Sequence, residues 1–192
     1  MSGFLAFLKA SLKSPLQLST MFETGPRVGR RFARHIDVAD GQAVVEFGVG
    51  AGAITVHILP RLSKASPYIG FELNQDLYKY LKEIYPRFEI YNESAENLSK
   101  RLQGRKAGAI VSTLPWSLLT QDIRTSIVKQ SRDNLEPGGL FCTFLAHHVL
   151  WSPAARDLIG LIYSHFGDIT YEDEFLNVPP CRLFFARKKL PR

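Results

Sequence analysis

Glu46, Gly48, Gly50 and Gly52 occupy alternate positions of Ala43-Val-Val-Glu-Phe-Gly-Val-Gly-Ala-Gly52, and Glu72 stands twenty positions beyond the last glycine. Three alternating residues without Cβ let a tight turn take positive φ, so a flat polar ligand can lie against the main chain. The spacing Gly48-x-Gly50-x-x-Ala53, with an acid placed to meet a ribose, satisfies the dinucleotide pattern as well as that of a nucleoside cofactor. Charge separates the two. A carboxylate at Glu46 would crowd a pyrophosphate, but it suits a ligand carrying an ammonium and a sulfonium. The pattern therefore points to S-adenosylmethionine rather than NAD, with Glu46, Gly48, Gly50, Gly52 and Glu72 as its contacts.

A second constellation is Ser112-Thr113-Leu114-Pro115-Trp116, at the end of the apolar run Ala107-Gly-Ala-Ile-Val. Pro115 fixes the backbone and removes a donor, so nearby carbonyls are expected to face a pocket, and Trp116 is expected to present an aromatic surface beside it. His147 and His148 are adjacent, point in different directions on any regular element, and make a poor metal pair. Cys142 and Cys181 are the only two cysteines and lack the spacing of a metal knuckle or redox pair. Neither a disulfide nor a metal is expected.

These residues need a scaffold. A chain of 192 residues suffices for one domain with a full core. The order of elements reads as a first strand into the glycine turn, a helix over 53–62, a strand over 67–72 ended by Glu72, a helix over 77–85 and a strand over 88–91. The loop 92–96, with Ser94 and Ala95, follows and should border the adenine. Next come a strand over 107–112, a helix over 121–135, a turn over 136–139, a strand over 140–145, a helix over 153–166 and two closing strands over 169–174 and 182–187. Repeated β-α alternation predicts an α/β fold with a doubly wound, mostly parallel sheet and an antiparallel closing strand. A substrate-positioning extension is expected over 1–40, and the cofactor-binding domain over 41–192.

In that extension Phe4, Leu5, Phe7, Leu8 and Leu12 share one arc at helical spacing, with Lys9 and Lys13 beyond its edge. An interfacial helix on anionic lipid has this pattern, and so does a helix that covers its own domain. Arg27, Arg30, Arg31, Arg34 and His35 then alternate with apolar residues and include no acid, as a basic helix face or a phosphate site would. The net charge of +6 favours an anionic partner without identifying it. No run approaches the roughly 18–20 apolar residues of a membrane span. A cytoplasmic, peripherally membrane-bound monomer is expected.

On the motifs Ser14-Pro15-Leu16, Glu46-Phe-Gly-Val-Gly-Ala-Gly52, Phe71-Glu72-Leu73-Asn74, Ser112-Thr-Leu-Pro-Trp116 and Leu176-Asn177-Val-Pro-Pro180, the chain resembles class I S-adenosylmethionine-dependent methyltransferases. Within them it looks most like bacterial phospholipid N-methyltransferases. The resemblance implies a Rossmann-like methyltransferase sheet and successive methylation of phosphatidylethanolamine to phosphatidylcholine. It adds Leu73, Ser94, Ala95 and Ser112 to the cofactor side and Thr113, Pro115 and Trp116 to the reacting centre. On the substrate and membrane side it implies Phe4, Phe7, Leu8, Lys9, Lys13, Arg27, Arg31 and Asn177. Ser94 stands where the family usually has Asp. A related amine lipid such as ornithine lipid would be served by nearly the same motifs. An RNA adenine methyltransferase is the rival reading, but such enzymes carry Asn or Asp where Thr113 stands, and they grip a duplex with a C-terminal helical domain not expected here. Nucleic acid is therefore not the expected partner. A lipid-binding module on a decayed methyltransferase fold would bind cofactor without turnover.

Overall fold

The computed structural model describes residues 25–190. A seven-stranded sheet has the order β3-β2-β1-β4-β5-β7-β6. Its strands are β1 (Ala43–Phe47), β2 (Tyr68–Phe71), β3 (Glu89–Tyr91), β4 (Ala107–Ser112), β5 (Leu135–Ala146), β6 (Gly167–Glu174) and β7 (Cys181–Arg187). Pairing is parallel from β3 through β5, and β7 runs antiparallel to both β5 and β6. This is the Rossmann-like methyltransferase sheet expected from the sequence, with one antiparallel strand.

The central strands are apolar at nearly every position because both faces are covered. Ala43, Val45 and Phe47 of β1 join the cluster on one face, whereas Val44 joins the cluster on the other. Helices α1 (Pro26–His35), α2 (Thr55–Ile58), α3 (Gln75–Ile84), α4 (Leu98–Leu102), α5 (Gln121–Asn134) and α6 (Pro153–His165) flank the sheet. α1 starts with Pro26 at its first turn and buries Val28, Phe32 and Ala33. It approaches α2 so closely that a Cβ on Gly29 would collide with the His57 ring. Local caps set the other helix starts: Asn74 Oδ1 accepts from Asp76 N at 2.8 Å, and Thr120 and Ser152 cap α5 and α6. These are the short polar side chains that offer an oxygen to the orphan amides of a first turn.

Two expectations are corrected here. The helix expected over 53–62 holds only four α-helical residues, and Leu59–Arg61 tightens into a 3-10 turn around Pro60, whose nitrogen has no hydrogen to donate. Glu136–Gly139 forms no separate turn. It lies inside β5 as an irregularity, where the register against β4 shifts between Ala107↔Leu135 and Ala109↔Leu140. Sequence reading also missed the short α4.

Among the described residues no helix is long and apolar enough to cross a membrane. Nor is any group of three or more His, Cys, Asp and Glu side chains placed to hold a metal. Cys142 and Cys181 are buried free thiols, each pushed upward in pKa by burial.

Candidate functional site

β1 delivers its last residue, Phe47, to the carboxyl edge of the sheet, and the next residues form the glycine turn. Gly48, Gly50 and Gly52 have φ of 75°, 59° and 87°, so all three adopt the left-handed backbone that side chains disfavour. Their surroundings differ. A Cβ on Gly48 would lie 3.1 Å from Thr113 Oγ1, and one on Gly52 would lie 3.3 Å from the Tyr85 ring. One on Gly50 would have no atom of the described residues within 4 Å. At Gly50 the bare main chain faces open space, as a cradle for a flat ligand must.

The end of β2 locks that cradle. Glu72 Oε2 accepts from Gly50 N at 2.8 Å, and Oε1 accepts from Asn74 N at 2.7 Å. Burial raises the pKa of this carboxyl, and its amide donors partly oppose the rise. Each carboxylate oxygen has a second lone pair, so Glu72 can hold the turn and still accept from a ribose hydroxyl. Asn92, just past β3, donates through Nδ2 to Glu72 O at 2.8 Å and to Leu73 O at 3.0 Å. Sequence reading passed over this side chain. Its signal was its place as the first polar residue after a strand adjoining β2.

Glu46 lies two residues before the turn and is wholly buried. Its Oε2 accepts from Thr55 Oγ1 at 2.9 Å and from the Tyr68 hydroxyl at 2.7 Å. Among the described residues Oε1 has no hydrogen-bond partner. Burial pushes the carboxyl up to about 7, against the two hydroxyl bonds and with a smaller push from Glu72. Gly70 stands opposite Glu46 in the β1–β2 register. Tyr68, missed as a site residue, could have been found from strand alternation, which puts it on the same face of β2 as Gly70.

In the loop after β3, Ser94 caps the turn Ala95–Asn97 by accepting from Glu96 N at 3.3 Å, and Ala95 is buried. At the end of β4 the expected side-chain roles change. Thr113 Oγ1 donates to Gly48 O at 2.5 Å, and Thr113 N donates to Phe47 O at 2.9 Å. The threonine therefore ties β4 to the first glycine. Trp116 is only 1% exposed and belongs to the core cluster that includes Phe141 and Phe166. Its indole Nε1 donates to Thr143 Oγ1 at 2.6 Å, and Thr143 donates to Ser112 O at 3.0 Å. The expectation of an open aromatic face at Trp116 is thus corrected: a large ring with one donor is placed where β5 supplies a partner. The Leu114 and Pro115 carbonyls accept from Trp116 N and Leu118 N at 2.8 and 2.9 Å, so neither is a bare acceptor at the edge.

The substrate-side residues divide similarly. Arg31 bonds to Glu172 and Glu174 at 2.6 and 3.0 Å, and His35 bonds to Glu172 at 2.9 Å. The acids missing from the basic run come from β6, which corrects Arg31 as a phosphate ligand. Arg27 is exposed. Asn177 is buried and accepts from Gly25 N at 2.9 Å while donating to Pro179 O at 2.8 Å. It clasps the β6–β7 loop to the start of α1 rather than facing a substrate. His147 bonds to Asp173, which also meets Arg182. Phe4, Phe7, Leu8, Lys9 and Lys13 lie outside the described residues.

One set of large apolar side chains stays in solvent at this edge: Trp151 after β5 at 85%, and Phe175, Leu176 and Val178 between β6 and β7 at 67%, 70% and 85%. Two shallow surface concavities among the described residues lie at the opposite edge, one at the amino ends of β1, β4 and β5 and the other at those of β2 and β3.

No protein-family model matches the chain, and no curated protein does. Solved structures do. A SAM-dependent O-methyltransferase from Thermotoga maritima matches 87% of this chain at a TM-score of 0.65 and 14% identity. The CurJ carbon methyltransferase matches 90% at 0.65 and 14%. The N-methyltransferase NodS from Bradyrhizobium japonicum, in complex with S-adenosyl-L-homocysteine, matches 77% at 0.60 and 14%. The chain spans 66%, 57% and 78% of those three structures' own lengths. At such identities the likeness is one of fold, and it covers proteins described by oxygen, carbon and nitrogen acceptors alike.

Proposed function

We propose that the chain is an S-adenosylmethionine-dependent N-methyltransferase acting on the amine headgroup of a membrane phospholipid. In this reading phosphatidylethanolamine passes through its mono- and dimethyl forms to phosphatidylcholine. The observation that carries the reading is a juxtaposition at the carboxyl edge of the sheet. A main-chain cradle at Gly50, braced by Glu72 and adjoined by buried Glu46, shares that edge with the exposed apolar residues Trp151, Phe175, Leu176 and Val178. The cradle suits an adenosyl ligand with positive charge, and an apolar rim suits an acceptor presented by a bilayer.

When bound, S-adenosylmethionine supplies an electrophilic methyl group on its sulfonium. The chain needs no covalent nucleophile: its residues orient the headgroup, exclude water and leave the headgroup ammonium a path to give its proton to solvent, so that the amine lone pair is free to align with that methyl group. Gly48, Gly50 and Gly52 shape the bed, Glu72 accepts from the ribose, and the loop at Ser94 and Ala95 borders the base. Thr113 holds the end of β4 against the turn. The segment ahead of α1 serves as the membrane and substrate cap, α1 itself being part of the domain core, and the chain acts as a monomer associated peripherally with the cytoplasmic membrane.

The test is to incubate the protein with methyl-labelled S-adenosylmethionine and either phosphatidylethanolamine vesicles or unmodified ribosomal RNA. Label is expected in lipid. Label in RNA and none in lipid would overturn the acceptor, and cofactor binding without transfer to either would favour a binding module.

A further inference from the structure

Among the described residues, Glu46 Oε1 is the single buried side-chain polar atom without a hydrogen-bond partner. An orphaned acceptor on a wholly buried acid requires a physical account. β2 contributes the Tyr68 hydroxyl, and α2 contributes the Thr55 hydroxyl, both on Oε2. β4 places Val111 opposite Glu46, and α1 adds Val28 and Phe32 to the same face. The ionisable groups coupled to Glu46 are Tyr68, Glu72 and Tyr85. All three are neutral or negative when they act on it. Among the described residues no cation compensates this acid, and an uncompensated buried charge is strongly disfavoured.

Resting on the cofactor reading above, we infer that Glu46 is the proton-linked contact of this site: a neutral carboxyl in the free protein and a carboxylate in the cofactor complex. The carboxyl proton leaves to solvent as the positive charge of the ligand becomes its counterion, so atoms and charge balance. Burial places the carboxyl at about 7, inside the range where such a change can be measured. A bound cation favours the charged form, so S-adenosylmethionine binds more tightly as pH rises through 7 and levels off above. S-adenosylhomocysteine has no sulfonium and follows a shallower curve. The site would thus discriminate cofactor from spent product better at higher pH.

The experiment is calorimetric titration of the full chain with each ligand at pH 7, in buffers of different ionisation enthalpy. Release of about half a proton is expected with S-adenosylmethionine at this pH, growing smaller as pH rises above 7, with a smaller release for S-adenosylhomocysteine. Glu46→Gln should abolish the release. Should that variant fail to fold, Tyr68→Phe removes one donor to the carboxylate and should move the midpoint of the wild-type pH curve upward. Binding without buffer dependence, or equal release with both ligands, would overturn the inference while leaving the cofactor reading intact. Absence of binding by either ligand would overturn both.

Discussion

At the glycine turn the groups offered to a ligand belong to the main chain, and the side chains that shape them come from the adjacent strand. Glu72 reaches Gly50 N, and Asn92 reaches the Glu72 and Leu73 carbonyls. Across the sheet, from β4 to β6, the conspicuous side chains turn inward to partners distant in the chain. Trp116 meets Thr143, Asn177 meets Gly25, and Arg31 meets Glu172 and Glu174. Beside them, Trp151, Phe175, Leu176 and Val178 stay in solvent. The cofactor side is thus specified by backbone shape and a few acids. The β5–β7 side of the carboxyl edge carries an exposed apolar cluster, the feature on which the proposed lipid acceptor rests.

This contrast can be broken most sharply at Trp116. Trp116→Ala should destabilise the fold by about 3–5 kcal/mol in urea denaturation, as removal of a packed aromatic side chain does. Trp116→Phe should cost only about 1–2 kcal/mol, for the lost bond to Thr143, and leave cofactor affinity intact. A phenylalanine variant of native stability with methyl transfer abolished would mean that the indole touches the acceptor. On the other side, Glu72→Ala should weaken S-adenosylmethionine binding roughly 10- to 100-fold, the worth of hydrogen bonds to a charged acceptor. An unchanged dissociation constant would remove Glu72 from the ribose.

The fold was legible because its signals are local and periodic. Val44 and Val45 feed opposite faces, the three glycines carry the turn, and Asn74, Thr120 and Ser152 cap helices within three residues of themselves. The roles of Arg31, Trp116 and Asn177 were not legible. Each depends on a partner 27 to 152 residues away, and only the strand order brings those partners near. Arg31 sits in a run without acids in sequence and between two acids in space.

Smaller effects sharpen the acceptor side. Arg31→Ala should cost about 1–3 kcal/mol, because Glu174 is left buried without its cation, while vesicle binding holds. Lost vesicle binding at native stability would restore Arg31 as a phosphate ligand. Asp173 is held down to about 2 by the Arg182 guanidinium, with His147 adding to the effect. A depressed carboxylate contributes stability above its unfolded pKa and loses it as pH falls through the folded one. Denaturation between pH 4 and pH 2 should therefore show a loss of about 1 kcal/mol, given the partial exposure of the pair, and Asp173→Asn should lack it.

The claim that the cofactor lies on bare main chain is tested most directly at Gly50. Its φ is 59°, and a Cβ there would meet no atom of the described residues within 4 Å, so Gly50→Ala should cost only about 1–2 kcal/mol of backbone strain. Equilibrium binding of S-adenosylmethionine to that folded variant is expected to fall at least roughly tenfold, because the added methyl group occupies the bed of the ligand. Binding equal to that of the wild type would contradict the account.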